Sequence, residues 1–107
     1  MTSFADRERA FETAYARDEE MAFRVVARRN RLLGTWAAQQ MKLTPEETDA
    51  YCKAVVQAEF EEAGDEDVIR KLLGDLGAAG VEVDDATVRR ALDDHMVEAR
   101  RQLMQAQ

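Results

Sequence analysis

The sequence is poor in the residues from which catalytic and metal-binding sites are most often built. It has one cysteine, one histidine and one serine in 107 residues. A single cysteine excludes an internal disulfide and a cysteine-based zinc site, and a lone serine at position 3 is poorly placed to join a Ser-His-Asp triad. The glycines of GDLGAAG (residues 74–80) lack the lysine and the preceding strand of a phosphate-binding loop. This inventory predicts a protein that is not an enzyme and that carries no cofactor or metal ion.

Long apolar runs and an excess of basic residues are also missing. No window is apolar enough to span a membrane, and the first residues include several acids, unlike a signal or transit peptide. The formal net charge is −7, which argues against nucleic acid or an anionic membrane as the main partner, because both are bound through excess lysine and arginine. We expect a soluble, cytoplasmic protein without direct membrane insertion.

Helix-forming residues are abundant, whereas helix breakers are few. There are one proline and five glycines, so the local preference is strongly helical. Apolar residues recur at helical spacing after position 18 and predict four amphipathic helices, at about 18–41, at 45–63, from 66 into the glycine-containing stretch, and at 85–103. The predicted fold is therefore all-α: a small four-helix bundle of residues 18–107, preceded by an N-terminal segment of residues 1–17.

Capping signals predict where the helices start. Thr44 precedes a helix whose third residue is Glu47, and this pair forms a capping box. Valines at positions 83 and 88 form a hydrophobic staple around a cap at Asp84. The two remaining starts are assigned to aspartate caps, Asp18 and Asp65.

Basic residues are concentrated in the first predicted helix of the bundle. Residues 21–43 have five bases and no acid, namely Arg24, Arg28, Arg29, Arg31 and Lys42. One interpretation is a basic helix that packs near the protein's own acids, and the other is a docking surface for another protein. Arg28, Arg29 and Arg31 are spread around the helix rather than aligned in a row, so we expect most of these charges to be solvated.

Two single residues are assigned structural roles. Gly34 lies in the middle of a helix, where glycine costs about 1 kcal/mol relative to alanine, so we expect a neighbouring helix to approach it closely. His95 shares a helical stripe with Val88 and Leu92, which is typical of a core histidine that has a hydrogen-bond partner.

The N-terminal segment has a sparse aromatic stripe. Phe4, Phe11 and Tyr15 fall within about 40° of one another around a helix, but they are too few to form a core. From the residues alone, two interpretations are open. The segment folds back on its own bundle, or it becomes helical and places these side chains in a groove of a partner. Because no glycine or proline precedes Gly34, the segment can join the following helix as one rod.

Three stretches together resemble a known family over essentially the whole chain. They are the opening F-x-D-R-E-R-A-F-E (residues 4–12), RRNRLLGTWAA (residues 28–38) and FEEAGDEDV (residues 60–68). Their order and spacing closely resemble the zeta subunit family of alphaproteobacterial F-type ATP synthases. The resemblance implies a four-helix bundle that binds the soluble catalytic head of the synthase, formed by its alpha, beta and gamma subunits. In some members the N-terminal segment inhibits ATP hydrolysis.

The resemblance also implies which residues contact the partner. The N-terminal segment would insert as a helix between a noncatalytic and a catalytic subunit, near the central shaft, and the protein would reside at the inner face of the plasma membrane through the synthase. The implied partner-binding residues are Phe4, Arg7, Glu8, Arg9, Phe11, Glu12 and Tyr15.

A second function class remains open at this stage. The chain would then be a small ligand-binding bundle that senses a nucleotide and has no inhibitory activity. Its binding residues would be Arg24, Arg28 and Arg31, together with a pocket near Trp36. Adding ATP or ADP while recording Trp36 fluorescence would distinguish the two classes, because an inhibitor needs no such response.

We predict that the N-terminal segment is mobile in the free protein, because its apolar stripe is thin, whereas the backbone from Ala22 onward is protected. Amide hydrogen exchange of the isolated monomer would measure this difference. Strong protection at Phe11 and Tyr15 would instead favour a segment that folds back on the bundle.

Overall fold

A computed structural model of the chain describes the backbone of residues 4–61 and 64–105, and the side chains of residues 19–60 and 64–105. Four helices follow one another: α1 (Phe4–Gln40), α2 (Pro45–Glu61), α3 (Glu66–Ala78) and α4 (Asp85–Gln105). The described ranges contain no strand, and the predicted all-α four-helix bundle is confirmed. The molecule measures 65 × 25 × 21 Å, and α1 alone is about 55 Å long at 1.5 Å per residue.

Helix α1 organises the packing. It contacts each of the other three helices, and α3 contacts both α2 and α4. Over the described ranges, α2 and α4 do not contact each other, so they lie on either side of α1. The apolar core between the helices includes the following buried residues: Leu33, Ala37, Val55, Ala58, Val68, Ile69, Leu72, Leu76, Val88, Ala91 and Leu92.

The start of α1 differs from the sequence prediction. The helix begins at Phe4 and continues through Asp18 without a break, so the prediction that Asp18 caps a new helix is wrong. The physical reason is the lack of any glycine or proline before Gly34, because acids at Asp18 and the next two positions do not by themselves interrupt a helix. The N-terminal segment and the first bundle helix are therefore one continuous helix.

Two predicted caps are confirmed. The Thr44 N–H donates to the Glu47 carboxylate at 2.9 Å, and the Glu47 N–H donates to the Thr44 hydroxyl at 3.1 Å. At the start of α4, the Thr87 N–H donates to the Asp84 carboxylate at 2.8 Å. The staple residues both turn inward, because Val88 is buried and Val83 packs against the core.

The predicted cap at Asp65 is wrong in its chemistry. Asp65 does precede α3, but its side chain makes no capping hydrogen bond. Its Oδ1 instead accepts a hydrogen bond from the Arg29 guanidinium at 2.9 Å. A charged partner outcompetes a backbone N–H for a carboxylate, because charge-assisted hydrogen bonds are the stronger ones.

Gly34 lies where α1 and α2 approach each other closely: a Cβ at position 34 would be 3.0 Å from the Cys52 Cα and 3.2 Å from its Sγ. The expected close approach is confirmed. By contrast, a Cβ at Gly74, in α3, would meet nothing within 4 Å.

Alanine at these two glycines is expected to change stability in opposite directions. Gly34→Ala forces a methyl group against the Cys52 backbone and should lower the free energy of unfolding by about 1–3 kcal/mol, as overpacking does. Gly74→Ala adds helix propensity in open space and should raise it by up to about 1 kcal/mol. Urea unfolding followed by circular dichroism measures both. Equal stabilisation by the two substitutions would contradict a close contact at Gly34.

Candidate functional site

The predicted partner-binding residues lie on the first turns of α1. The backbone from Phe4 onward is helical, as the helix-in-groove interpretation requires. The structure does not describe the side chains of these residues, so their contacts stay predictions. The predicted partner-binding residues are Phe4, Arg7, Glu8, Arg9, Phe11, Glu12 and Tyr15. The last turn of α4 lies beside Met21 and Ala22, so α1 continues in the N-terminal direction past the end of α4.

A polar cluster around one buried guanidinium fixes α1 to the link between α2 and α3. We call it the Arg29 clamp, and it consists of Arg29, Asn30, Glu59 and Asp65. The Arg29 side chain is only 1% exposed and pairs with Asp65 at 2.9 Å and with Glu59 at 3.4 Å. Its Nε donates to the Asn30 side-chain oxygen at 3.0 Å, and the Asn30 amide donates to Glu59 at 3.4 Å. One guanidinium thereby joins the end of α2 to the start of α3.

The clamp is electrostatically asymmetric. Burial raises the pKa of Glu59 above its usual value, and the nearby Asp65 adds to the increase, while the Arg29 charge partly opposes it. Two carboxyl groups thus share one buried cation, and the cluster holds more negative than positive charge when both are ionised. Every buried side-chain nitrogen and oxygen in the described part of the chain has a hydrogen-bond partner, so the clamp leaves none of its own buried polar atoms unpaired.

The outer face of α1 carries the other arginines. A groove runs along this face between α2 and α4, and we call it the arginine trough. Its lining comprises Phe23, Arg24, Ala27, Arg28, Arg31, Val56 and Leu103. The three arginines are spaced four and three residues apart, so they align on one side of the helix. Arg24, Arg28 and Arg31 are exposed, as expected, but the expectation of solvation is wrong for Arg29.

The residues of the nucleotide-sensing alternative are only partly brought together. Arg24, Arg28 and Arg31 line the same trough, whereas Trp36 packs against the apolar core. Arg31 pairs with Asp49 at 3.1 Å and Arg24 with Glu20 at 2.6 Å. The first of these pairs matches the interpretation that the basic segment packs near the protein's own acids.

The chemistry of the remaining candidate groups is structural. The His95 ring donates from Nδ1 to the Ala91 carbonyl at 2.6 Å, one turn earlier in α4. The predicted hydrogen bond is confirmed, but the side chain is half-buried and does not belong to the core. The Cys52 thiol is buried beside Thr35 Oγ1 at 3.3 Å. Among the described residues, no three His, Cys, Asp or Glu side chains are grouped to hold a metal ion, and no helix in these ranges is long and apolar enough to cross a membrane.

Sequence reasoning missed the Arg29 clamp, although a signal was present. Arg29 lies three residues after Val26 and four before Leu33, which is the spacing of the inward-facing stripe of α1. A charge at such a position indicates a buried ion pair, and the acids before and after Gly64 were candidates for its partners. The sequence instead predicts solvated charges, because Arg28, Arg29 and Arg31 are spread around the helix.

Comparisons with known proteins agree with this geometry. A model of the family described as ATPase inhibitor subunit zeta matches residues 1–102. The chain belongs to this zeta family. A protein with a solution NMR structure is 44% identical, with a TM-score of 0.72, and the match covers 81% of this chain and 99% of that one. A search of curated proteins found no match.

The Arg29 clamp joins parts of the chain that resemble the zeta family. Two of the three stretches that resemble the family, residues 28–38 and 60–68, meet through the ion pair of Arg29 and Asp65. The third stretch, residues 4–12, lies on the N-terminal turns of α1. The family is one of ATPase inhibitor subunits, which supports an inhibitory role for this chain.

Replacing Glu59 by glutamine is expected to change the pH dependence of stability. Because the pKa of Glu59 is raised in the folded protein, the folded state holds a proton that the unfolded chain releases. Glu59 therefore lowers the free energy of unfolding as the pH rises above 4.5, the ordinary pKa of a glutamate. Glu59→Gln lacks this loss, so its stability relative to the wild type should increase with pH. Urea unfolding between about pH 4 and pH 7 measures the difference.

Glu47→Gln is the matched control of opposite sign. The bonds from Thr44 lower the pKa of Glu47, so its contribution to stability is present above the ordinary value of 4.5 and is lost as the pH falls below it. The stability of Glu47→Gln relative to the wild type should decrease as the pH rises toward that value. A change of relative stability in the same direction for both variants would show that burial does not raise the pKa of Glu59.

Proposed function

We propose that the protein is a regulatory subunit that binds the catalytic head of an F-type ATP synthase and blocks ATP hydrolysis with its N-terminal helix. The family match supports the inhibitory role. The continuous helix α1 supports the mechanism, because it joins the N-terminal segment to the bundle without a break. This continuity is the structural observation on which the mechanism depends.

The N-terminal helix acts by insertion at an interface between a noncatalytic and a catalytic subunit. Hydrolysis requires the catalytic interfaces to change shape, so a helix wedged into one of them stops the cycle without any chemistry of its own. Phe4, Phe11 and Tyr15 are the proposed apolar contacts, because aromatic side chains bury a large area and have few torsions to restrict.

Charged residues around the stripe complement the partner. Arg7 and Arg9 are proposed to pair with acids of the head, and Glu8 and Glu12 with its bases. Such pairs at the rim of an interface set orientation and association rate more than affinity. The proposed location follows from the partner: the cytoplasm, at the inner face of the plasma membrane, through the synthase.

The bundle serves the inserted helix as a fixed support. An isolated helix of this length is marginal in water, but α1 continues into a bundle in which the Arg29 clamp and the apolar core immobilise it. The costly first turn of the helix therefore already exists in the bundle, and the N-terminal segment only has to extend it. This lowers the entropy cost of ordering the segment on the partner.

Phe11→Ala is expected to weaken inhibition while leaving the bundle folded. Removing a central aromatic contact from an interface costs about 2 kcal/mol or more, which is roughly thirtyfold in affinity. The measurement is ATP hydrolysis by the purified cognate head, titrated with the variant and with the wild type. Circular dichroism should be unchanged.

Leu72→Ala is the matched control, because Leu72 is fully buried in the core and far in sequence from the N-terminal segment. It should lower the free energy of unfolding by about 2–5 kcal/mol, while any folded fraction still inhibits. A chain that lacks residues 1–17 and inhibits as well as the intact protein would exclude the N-terminal mechanism.

A further inference from the structure

Helix α1 has an outer face that the bundle leaves uncovered. Because α2 and α4 do not contact each other within the described ranges, they form the two walls of the arginine trough and α1 forms its floor. From Phe23 to Arg31 the trough is about 12 Å long, at 1.5 Å per residue. This length matches about two turns of a helix lying along α1.

An aromatic pair stands at one edge of the trough. The rings of Phe23 and Phe60 pack against each other with centroids 5.1 Å apart, yet the two residues are 55% and 56% exposed. Val56 and Leu103 add apolar surface to the lining. Exposed apolar surface of this kind, bordered by charge, is typical of an interaction site.

The arginines of the trough are available to a partner. Arg24 pairs with Glu20, with both side chains 60% exposed, and Arg31 pairs with Asp49, with both about half exposed. Arg28 donates one bond, to Gln102 at 3.1 Å. Exposed pairs of this kind contribute about 0–1 kcal/mol, so the carboxylates of a partner can replace them at little cost.

We infer that the arginine trough is a second docking surface, which takes an acidic amphipathic helix of the catalytic head. The identity of the partner rests on the proposed function, whereas its chemistry follows from the trough. Carboxylates spaced like Arg24, Arg28 and Arg31 would pair with them, and apolar residues on the same side would contact Phe23 and Phe60. The bundle thereby binds the head directly and does more than support the inserted helix.

The test measures binding of the full-length protein to the purified cognate head. Arg28→Glu combined with Arg31→Glu should weaken binding at least about tenfold, because it replaces attraction with repulsion. Phe60→Ala should weaken it by about tenfold as well. Raising the salt concentration should weaken wild-type binding more than binding of the double variant.

Matched controls separate the trough from general effects of charge and surface. Arg70→Glu combined with Arg90→Glu changes the net charge equally, at exposed positions on α3 and α4. Val97→Ala removes another exposed apolar side chain, which is 67% exposed. These variants should bind within about twofold of the wild type. Equal weakening by trough and control variants, or no weakening by either, would overturn the inference.

A photocrosslinking side chain at position 60 identifies the occupant. The expected product joins it to an acid-rich helix of a head subunit, and the same group at position 97 should give none. A crosslink to a second copy of the chain, or no product at position 60, would refute the acidic helix.

The two proposals fail in distinguishable ways. If Phe11→Ala still inhibits while the trough variants lose binding, the N-terminal mechanism is wrong and the trough stands. If Phe11→Ala abolishes inhibition while the trough variants bind normally, the trough is wrong and the mechanism stands. Circular dichroism melting of each variant excludes unfolding as the cause.

Discussion

The pairing of a buried guanidinium with two carboxylates is the interaction on which this bundle depends most. Arg29 brings a full charge into the packed interior of three helices, and such a charge is tolerated only with close, hydrogen-bonded partners. Glu59 and Asp65 supply those partners from the two sides of the link between α2 and α3. Because neither α2 nor α3 can slide along α1 without unpairing the charge, the cluster selects one register among packings that apolar contacts alone would accept.

The close approach at Gly34 completes this selection. Cys52 and Val55 of α2 pack directly against Gly34. Because glycine has no side chain, the distance between the two helices at this point can vary little. The clamp and the glycine lie five residues apart on α1, so the middle of α2 and its C-terminal end are aligned to the same short stretch. That stretch lies within residues 28–38, which resemble the zeta family.

Much of this architecture could be predicted from the sequence, because it depends on local signals. The capping box at Thr44 and the staple around Asp84 involve residues three to five positions apart, and both were found where expected. The start of α1 was predicted wrongly, because the acids from Asp18 onward resemble a cap although no glycine or proline interrupts the helix there. The role of Asp65 was predicted wrongly, because a partner distant in sequence competes with the local cap. For Asp65 that alternative is Arg29, 36 residues away, and no periodicity within one helix reveals such a partner. The same holds for the candidate site. The sequence of the N-terminal segment predicts its potential to form a helix, whereas the arginine trough could be found only once the positions of α2 and α4 were known.

The unbroken helix has a mechanical consequence. Because α1 runs without a break from Phe4 into the bundle, the N-terminal turns form a lever whose fulcrum is the end of α4. A lever of about 17 residues is about 26 Å long, so a tilt of about 10° at the fulcrum displaces the tip by about 5 Å. A displacement of that size is comparable to one helical turn. While a partner holds the N-terminal turns as a helix, a small rotation of the bundle is thus converted into motion of the far end of α1.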